Sequence, residues 1–207
     1  MTMRLAPDGA EVRISIPRWG RTAEALAFAR LRHAWLEQQF TALPVPTSIR
    51  PGATLRYRGA TLTIHHEASA SRTPAVRDAA LLVGGPEDSL LPRLRRWLQA
   101  DVRRLLAEDL AHYCEIAGPP LPRLALSNAV RRWGSCAADG TIRINWRLIM
   151  APDFVRRSVV AHEVAHLIHF DHSPAFHACL AGLFEGDVAA ANAWLRKEGR
   201  SLYQPFG

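Results

Sequence analysis

Two histidines and a glutamate in one short segment carry the clearest chemical signal in the chain. The segment reads His162-Glu163-Val164-Ala165-His166, so the two histidines are four residues apart. Four residues of α-helix advance by about 400° and ~6 Å, and both imidazoles therefore leave the helix from the same side. Nitrogen atoms placed in this way can bind one metal ion at about 2.0–2.1 Å. The spacing predicts a metal site on one face of a helix.

Glu163 is the residue that we expect to act on a metal-bound water. It lies about 100° around the helix from His162, so its carboxylate can miss the ion and still reach a water molecule bound to it. A carboxylate in that place serves as a general base. On the opposite side of the helix, Val160, Val164 and Leu167 form an apolar stripe that can face a core. The helix is therefore expected to present one reactive face and to bury the other.

A third metal ligand is expected downstream, because catalytic zinc sites usually take three protein ligands and leave one position for water. In an unbroken helix His172 would lie about 240° from His166 and could not share its metal. The chain must therefore turn first. Asp171 tolerates the left-handed conformation and Pro174 disfavours helix at the preceding residue, which predicts a break near 170–173. His172 would then fold back onto the ion and complete the spacing H-E-x-x-H-x5-H.

Other donors compete for the role of third ligand. The alternatives to His172 are one more histidine and two carboxylates, namely His177, Glu185 and Asp187. His169 lies one helical turn beyond the second histidine of the motif, so we expect it to line the cleft rather than to bind the ion.

The elements that must position these residues can be read from apolar periodicity and from turn residues. The helix that carries the motif is predicted from Pro152 to about Phe170, and another helix opens at Ser173-Pro174. Strand-like segments at 124–128 and 141–148 precede it, joined through a turn at Asp139-Gly140.

Further upstream, a long amphipathic helix is predicted from Ser89 to a stop at Gly118. Alternating apolar residues around Arg58-Gly59 predict a β-hairpin. Nearly helical spacing predicts a single helix from Thr22, as its N-cap, to Phe40.

Length and composition are those of an ordinary globular protein. The 207 residues are 48% hydrophobic and 22% charged, which excludes a disordered or fibrous chain. The three cysteines are an odd number at wide spacings and favour a reducing compartment over a disulfide scaffold. No apolar run approaches the ~18 residues that a membrane span requires, and the first residues lack the apolar region of a secretion signal. We therefore expect a cytoplasmic protein without a membrane partner.

The charge of the chain is strongly basic. The formal net charge is +7, and 25 of the 26 basic residues are arginine because Lys197 is the only lysine. Basic charge of this size can steer a protein toward phosphate backbones. The arginines are spread along the chain rather than clustered, and such charge usually forms a solvated surface. The charge therefore permits a nucleic-acid partner without favouring one.

Three motifs in a fixed order resemble one known family. Residues 131–148 (RRWGSCAADGTIRINWRL), the HEVAH segment at 162–166 and the DHSPAF segment at 171–176 are similar to the YgjP-like metallopeptidase domain family, relatives of the SprT-like zincins. The resemblance is specific from about Asn128 to Phe176 and continues more weakly upstream.

The resemblance implies a zincin-like α+β fold, in which the HExxH helix packs against a small mixed or antiparallel sheet with additional N-terminal strands and a helix. It implies a zinc ion bound by His162, His166 and His172, with Glu163 as the catalytic base. Residues 1–88 would then be a strand, helix and hairpin region in the same domain as the metallopeptidase core at 89–207. The residues expected at the cleft are Trp133, Gly134, Ser135, Cys136, His169 and His177.

In zincins an edge strand commonly pairs with an extended substrate. By resemblance, the segment from Arg131 to Cys136 or the segment from Ile142 to Trp146 could do so in this chain. The partner that stabilises the oxyanion is left open among His177, Tyr203 and an arginine.

Three functions are compatible with these observations. The leading hypothesis is zinc-dependent hydrolysis of peptide bonds in a peptide or protein substrate. One alternative is a DNA-associated protease that acts on nucleic-acid-bound proteins, as SprT-like relatives do. Another is a non-catalytic interaction module stabilised by zinc, although structural zinc sites are usually closed and four-coordinate, often with cysteine ligands.

Overall fold

The computed structural model describes residues 1–5, 11–41 and 48–206. Within these residues the chain forms an α+β fold, as predicted. Its elements, in order, are β1 (Thr2–Leu5), β2 (Val12–Ser15), α1 (Thr22–Leu31), α2 (His33–Thr41), β3 (Thr54–Tyr57), β4 (Ala60–His66), β5 (Ala75–Arg77), β6 (Ala80–Val83), α3 (Leu90–Ala117), β7 (Leu124–Ser127), β8 (Gly134–Cys136), β9 (Ile142–Asn145), α4 (Asp153–Ala165), α5 (Pro174–Leu183) and α6 (Val188–Glu198).

The strands form three small sheets. β1 and β2 pair as an antiparallel ribbon, and the second sheet has the order β3-β4-β6-β5 with β4 parallel to β6. The third sheet has the order β7-β9-β8, in which β9 pairs parallel with β7 and antiparallel with β8. Helix α4, which carries the HExxH motif, contacts β8 and β9 of this third sheet. The predicted packing of the HExxH helix on a small mixed sheet is confirmed.

Helix α3 is the central element of the core. The prediction from Ser89 to Gly118 is confirmed, since the helix runs from Leu90 to Ala117 and ends where Gly118 adopts a left-handed φ of 89°. One side of the helix is fully buried and belongs to a single apolar cluster with residues of the second sheet, of β9 and of α4. No helix in the described part of the chain is long and apolar enough to cross a membrane.

The two predictions for the first sixty residues have different outcomes. The hairpin is confirmed, because β3 and β4 are joined through Arg58 and Gly59 at φ of 50° and 82°, the signs that a type I′ turn requires. The single helix from Thr22 to Phe40 is wrong. The helix breaks at Arg32, whose ψ of 19° separates α1 from α2, and Arg21 rather than Thr22 is the N-cap. No residue in either helix is buried, so no core contact enforces one continuous helix.

A buried ion pair joins α3 to α4. The Nε of Arg156 lies 2.7 Å from the Oδ2 of Asp109, and the two side chains are 4% and 9% exposed. Arg156 also donates from Nη1 to Asp153, and Asp153 in turn pairs with Arg58 of the β3–β4 turn. These charges connect the HExxH helix to the core helix and to the second sheet.

We expect Arg156→Met to lower the free energy of unfolding by about 3–5 kcal/mol, because it leaves the Asp109 carboxylate buried without a counter-charge. Urea unfolding measures the change. The matched control is Arg104→Met, which removes solvent-exposed pairs with Asp101 and Glu108 and should cost no more than ~1 kcal/mol. Equal losses in the two variants would contradict a structural role for the buried pair.

Candidate metal centre

Helix α4 buries one face and leaves the two histidines of its motif accessible. Val160 and Val164, from the predicted apolar stripe, are fully buried, and Leu167 packs partly buried against the same core. His162 and His166 are half-buried on the other side. The core contacts therefore fix the direction in which both imidazoles point.

The helix ends earlier than predicted. It stops at Ala165 rather than near Phe170, and His166 is its C-cap. The next residues form a tight turn in which the N–H groups of Ile168 and His169 both bond to the carbonyl of Ala165, at 3.2 and 2.9 Å. The helix lacks a glycine after its last residue, so this end leaves no sign in the sequence pattern that predicted the helix.

Two short side chains set the position of His172 after the turn. Asp171 does not adopt the left-handed conformation that its residue type allows, since Arg58 and Asp78 are the non-glycine residues with positive φ in the described part of the chain. Its carboxylate instead accepts a hydrogen bond from the Ser173 N–H at 3.3 Å. Ser173 then caps α5, which begins at Pro174 as predicted. His172 is thus held between a local carboxylate turn and a helix N-cap.

The three imidazoles of His162, His166 and His172 converge on one point. The Nε2 of His162 lies 3.2 Å from the Nε2 of His166 and 3.3 Å from the Nε2 of His172. Two nitrogen ligands at about 2.05 Å from a tetrahedral ion are about 3.3 Å apart. A ligand atom from each of the three residues lies within 4.8 Å of the others. Two of the three nitrogen pairs therefore have the spacing that a tetrahedral metal ion requires, and the third lies within 4.8 Å.

The tautomer of His166 agrees with a ligand role. Its Nδ1 lies 3.0 Å from the carbonyl oxygen of His169. A carbonyl oxygen only accepts hydrogen bonds, so Nδ1 carries a proton, and in the neutral ring Nε2 then presents its lone pair to its neighbours. The backbone carbonyl of His169 thus orients the His166 ring.

The electrostatics of the cluster keep His162 neutral. Burial lowers the pKa of His162 to about 4, and the nearby His166, His172 and His177 lower it in the same direction. A neutral imidazole is the form that binds a metal ion.

Phe176 supports all three imidazoles and was not among the site residues expected from the sequence. Its ring is fully buried, with centroids 4.9, 4.5 and 4.8 Å from those of His162, His166 and His172. It stacks on His166 and meets the other two edge to face. The DHSPAF segment contains this residue, but an aromatic residue beside a helix start gives no sign of its role until the fold is known.

The other candidates for the third ligand have different partners. Asp187 caps α6 by accepting from the N–H groups of its first turn. Glu185 accepts from the Tyr113 hydroxyl at 2.9 Å and pairs with Arg157 at 2.9 Å. His177 lies on α5 with its ring centroid 6.5 Å from that of His172, beside the cluster rather than in it.

Glu163 is buried against strand β8. Its side chain packs on Gly134, where an added Cβ would come within 2.7 Å of Cγ and 2.8 Å of Cδ of the glutamate. The backbone of Cys136 donates a hydrogen bond to the carboxylate. Burial raises the pKa of Glu163 to about 7, while the Cys136 hydrogen bond and the charge of Arg132 act in the opposite direction.

Strand β8 is the edge of the third sheet beside this carboxylate. Trp133 and Ala137 turn their backbone groups toward β9, because Asn145 N–H bonds to the Trp133 carbonyl at 2.7 Å and Ala137 N–H bonds to Thr141. Gly134 and Cys136 therefore turn theirs away from the sheet. The alternative edge, Ile142 to Trp146, is wrong because its strand β9 is the central strand, paired on both sides.

The remaining expected residues lie around this strand. Ser135 sits in β8 opposite Arg143 of β9. The Tyr203 hydroxyl donates to the carbonyl of Ala129 at 2.9 Å and lies 3.0 Å from the Asn145 amide, so it is already engaged in a buried network. This arrangement argues against Tyr203 as the oxyanion partner.

A helix that presents two imidazoles and a carboxylate beside a third imidazole is typical of metal-dependent peptidases. The chain belongs to the YgjP-like family, since the YgjP-like metallopeptidase domain matches residues 1–198, and the resemblance seen in the sequence is confirmed. The chain is also similar to the crystal structure of the metallopeptidase zymogen of Pyrococcus abyssi abylysin, at 18% identity and a TM-score of 0.41 over 49% of this chain and 99% of that chain. No curated protein gives a significant match.

We expect His172→Ala to weaken Zn²⁺ binding by more than about 100-fold, since loss of even an outer partner of a metal ligand costs 10- to 100-fold. Competition with a chromophoric chelator measures the affinity. His177→Ala is the matched control, because the His177 ring lies beside that of His172 but does not belong to the group of three imidazoles that could hold the ion. A larger loss in the control than in His172→Ala would move the third ligand to His177.

We expect Gly134→Ala to displace the Glu163 side chain and to lower the free energy of unfolding by about 1–3 kcal/mol, the usual cost of overpacking. Thermal and urea unfolding measure the effect. Gly182→Ala is the control, since that glycine lies within α5 with nothing within 4 Å of an added Cβ, and alanine there should be neutral or stabilising. A stable Gly134→Ala variant with unmoved Glu163 would show that the contact does not constrain the carboxylate.

Proposed function

We propose that this metallopeptidase is zinc-dependent, with His162, His166 and His172 as the metal ligands and Glu163 as the general base. The observation that carries the proposal is the convergence of three Nε2 atoms at 3.2 and 3.3 Å spacings beside a buried carboxylate. Imidazole ligands in a tetrahedral set favour zinc among the common divalent ions. When bound, zinc would lower the pKa of a coordinated water toward ~7 and polarise the scissile carbonyl.

The protein's own residues would then handle the proton. The Glu163 carboxylate accepts a proton from the attacking water and transfers it to the nitrogen of the leaving amine. The Cys136 N–H holds the carboxylate in place, and Gly134 leaves the space that it occupies. Because Glu163 is 5% exposed, the proton passes between donor and acceptor without competition from bulk solvent.

Strand β8 supports the binding of extended peptide. It lies at the edge of its sheet, and the backbone groups of Gly134 point away from β9. An extended substrate could add to this edge through main-chain hydrogen bonds, which hold a peptide without strong selection for its side chains.

The catalytic interpretation is favoured over a zinc-stabilised interaction module. In the described residues, the group of donors that could hold this ion has three members rather than the four of a closed structural site. A module without catalysis would also have no use for a buried glutamate beside the donors. The nucleic-acid partner stays a prediction from the net charge.

We expect Glu163→Gln to lower kcat on peptide substrates by about 10²–10⁴-fold while zinc stays bound, because the amide cannot accept the proton but fills the same space. Cleavage of a casein or peptide library, together with elemental analysis, measures both properties. Glu108→Gln on the exposed side of α3 is the control. A Glu163→Gln protein that cleaves at the normal rate would remove Glu163 from the mechanism.

A further inference from the structure

A pocket opens directly beside the motif residues His162 and Glu163. It has a volume of about 220 Å³ and lies between α4, strand β8 and helix α6. We propose that this pocket binds one uncharged, apolar side chain of the substrate, on the residue next to the scissile bond. The inference rests on the proposed function, since His162, a metal ligand in that mechanism, and Glu163, its general base, both line the pocket.

The lining of the pocket sets the chemical class of the side chain. Val159, Val188 and Leu195 provide aliphatic walls, and Trp133 provides the face of an indole. Apart from His162 and Glu163, the polar side chains that line the pocket are the neutral ones of Ser158 and Asn192. An aliphatic or aromatic side chain can be desolvated against these walls, at ~25 cal/mol per Å² of apolar surface removed from water.

The volume agrees with a leucine- or phenylalanine-sized group. A cavity of about 150 Å³ lined by apolar side chains is known to bind benzene, and this pocket is larger. A small residue such as alanine would leave most of the space unfilled.

Charged side chains are disfavoured for two reasons. A buried ammonium or guanidinium group needs a paired acid, and Glu163 is the one acid among the residues that line the pocket. Pairing would occupy the carboxylate that the proposed reaction needs. An acidic side chain would bring a second negative charge against the same buried glutamate.

The wall made by α6 is fixed in advance of substrate binding. Asp187 caps its first turn, and Glu198 in its last turn accepts a 3.0 Å hydrogen bond from Arg56 of β3. The indole of Trp133 is wedged against the C-terminal segment, since a Cβ on Gly199 would lie 2.8 Å from its Cζ2 and the Tyr203 ring is 5.6 Å away. A preformed pocket selects by shape, because little ordering is needed when the side chain enters.

The test compares cleavage preferences of zinc-loaded wild type with those of Val188→Phe, which fills the pocket. In a peptide library varied on both sides of the scissile bond, we expect the variant to lose at least tenfold in kcat/KM for leucine or phenylalanine next to the bond. Peptides with alanine or glycine there should change by less than threefold. Val76→Phe, on the exposed strand β5, is the matched control and should keep the wild-type preference.

A second variant keeps the test valid if Val188→Phe fails to fold. Leu195→Ala enlarges the pocket, and we expect it to shift the preference toward larger aromatic side chains. If wild type cleaves and neither variant changes its preference, the pocket inference is overturned while the proposed function stands. If zinc-loaded wild type cleaves no member of the library, the proposed function is overturned and this inference with it.

A binding measurement tests the side-chain preference of the pocket without catalytic turnover. In zinc-loaded Glu163→Gln, titration with N-acetyl-leucinamide should shift the methyl NMR signals of Val159, Val188 and Leu195, whereas N-acetyl-aspartamide at the same concentration should not. Shifts that are absent for the leucine probe, or equal for both probes, would overturn the inference.

Discussion

The site depends on three imidazoles held close together, with the Nε2 of His162 at 3.2 and 3.3 Å from those of His166 and His172. Lone pairs at this distance repel one another, so the fold must hold the rings in place before any cation compensates. Helix α4 fixes His162 and His166 one turn apart, and its early end brings His172 back beside them. Phe176 packs on all three rings, and burial keeps His162 neutral. The packing contacts act on ring orientation, and burial acts on the protonation of His162.

Glu163 is likewise held in surroundings that disfavour its charged form, because its carboxylate is buried. The structure does not pair it with a buried arginine, as it does Asp109 with Arg156. A backbone N–H of Cys136 and the partial field of exposed Arg132 are its partners instead. The contrast separates two uses of buried acids in one protein. The fully paired acid joins two helices of the core, and the weakly paired one has the surroundings expected of the general base that we propose.

The elements that could be predicted from the sequence are those whose residue pattern is local. The length of α3 follows from a stripe of leucines and a terminal glycine, and the β3–β4 turn follows from Arg58-Gly59. The HExxH spacing gives the direction of two imidazoles from helix geometry alone. The end of α4 could not be predicted, because it depends on hydrogen bonds to the carbonyls of Ala165 and His169, and no residue type in this segment indicates them. Roles set by contacts between distant segments, such as those of Phe176, Gly134 and the pocket wall from α6, likewise require the fold.

The contact of Trp133 with Gly199 joins the start of strand β8 to the segment that follows α6. The three imidazoles and the Phe176 ring that packs on them lie within residues 162–176, whereas the Trp133 indole packs on Gly199, which follows later in the chain. A chain emerging from the ribosome therefore contains the histidine cluster before it contains the residue on which Trp133 packs. The proposed side-chain pocket is therefore complete only when the segment from α6 to Gly199 is present.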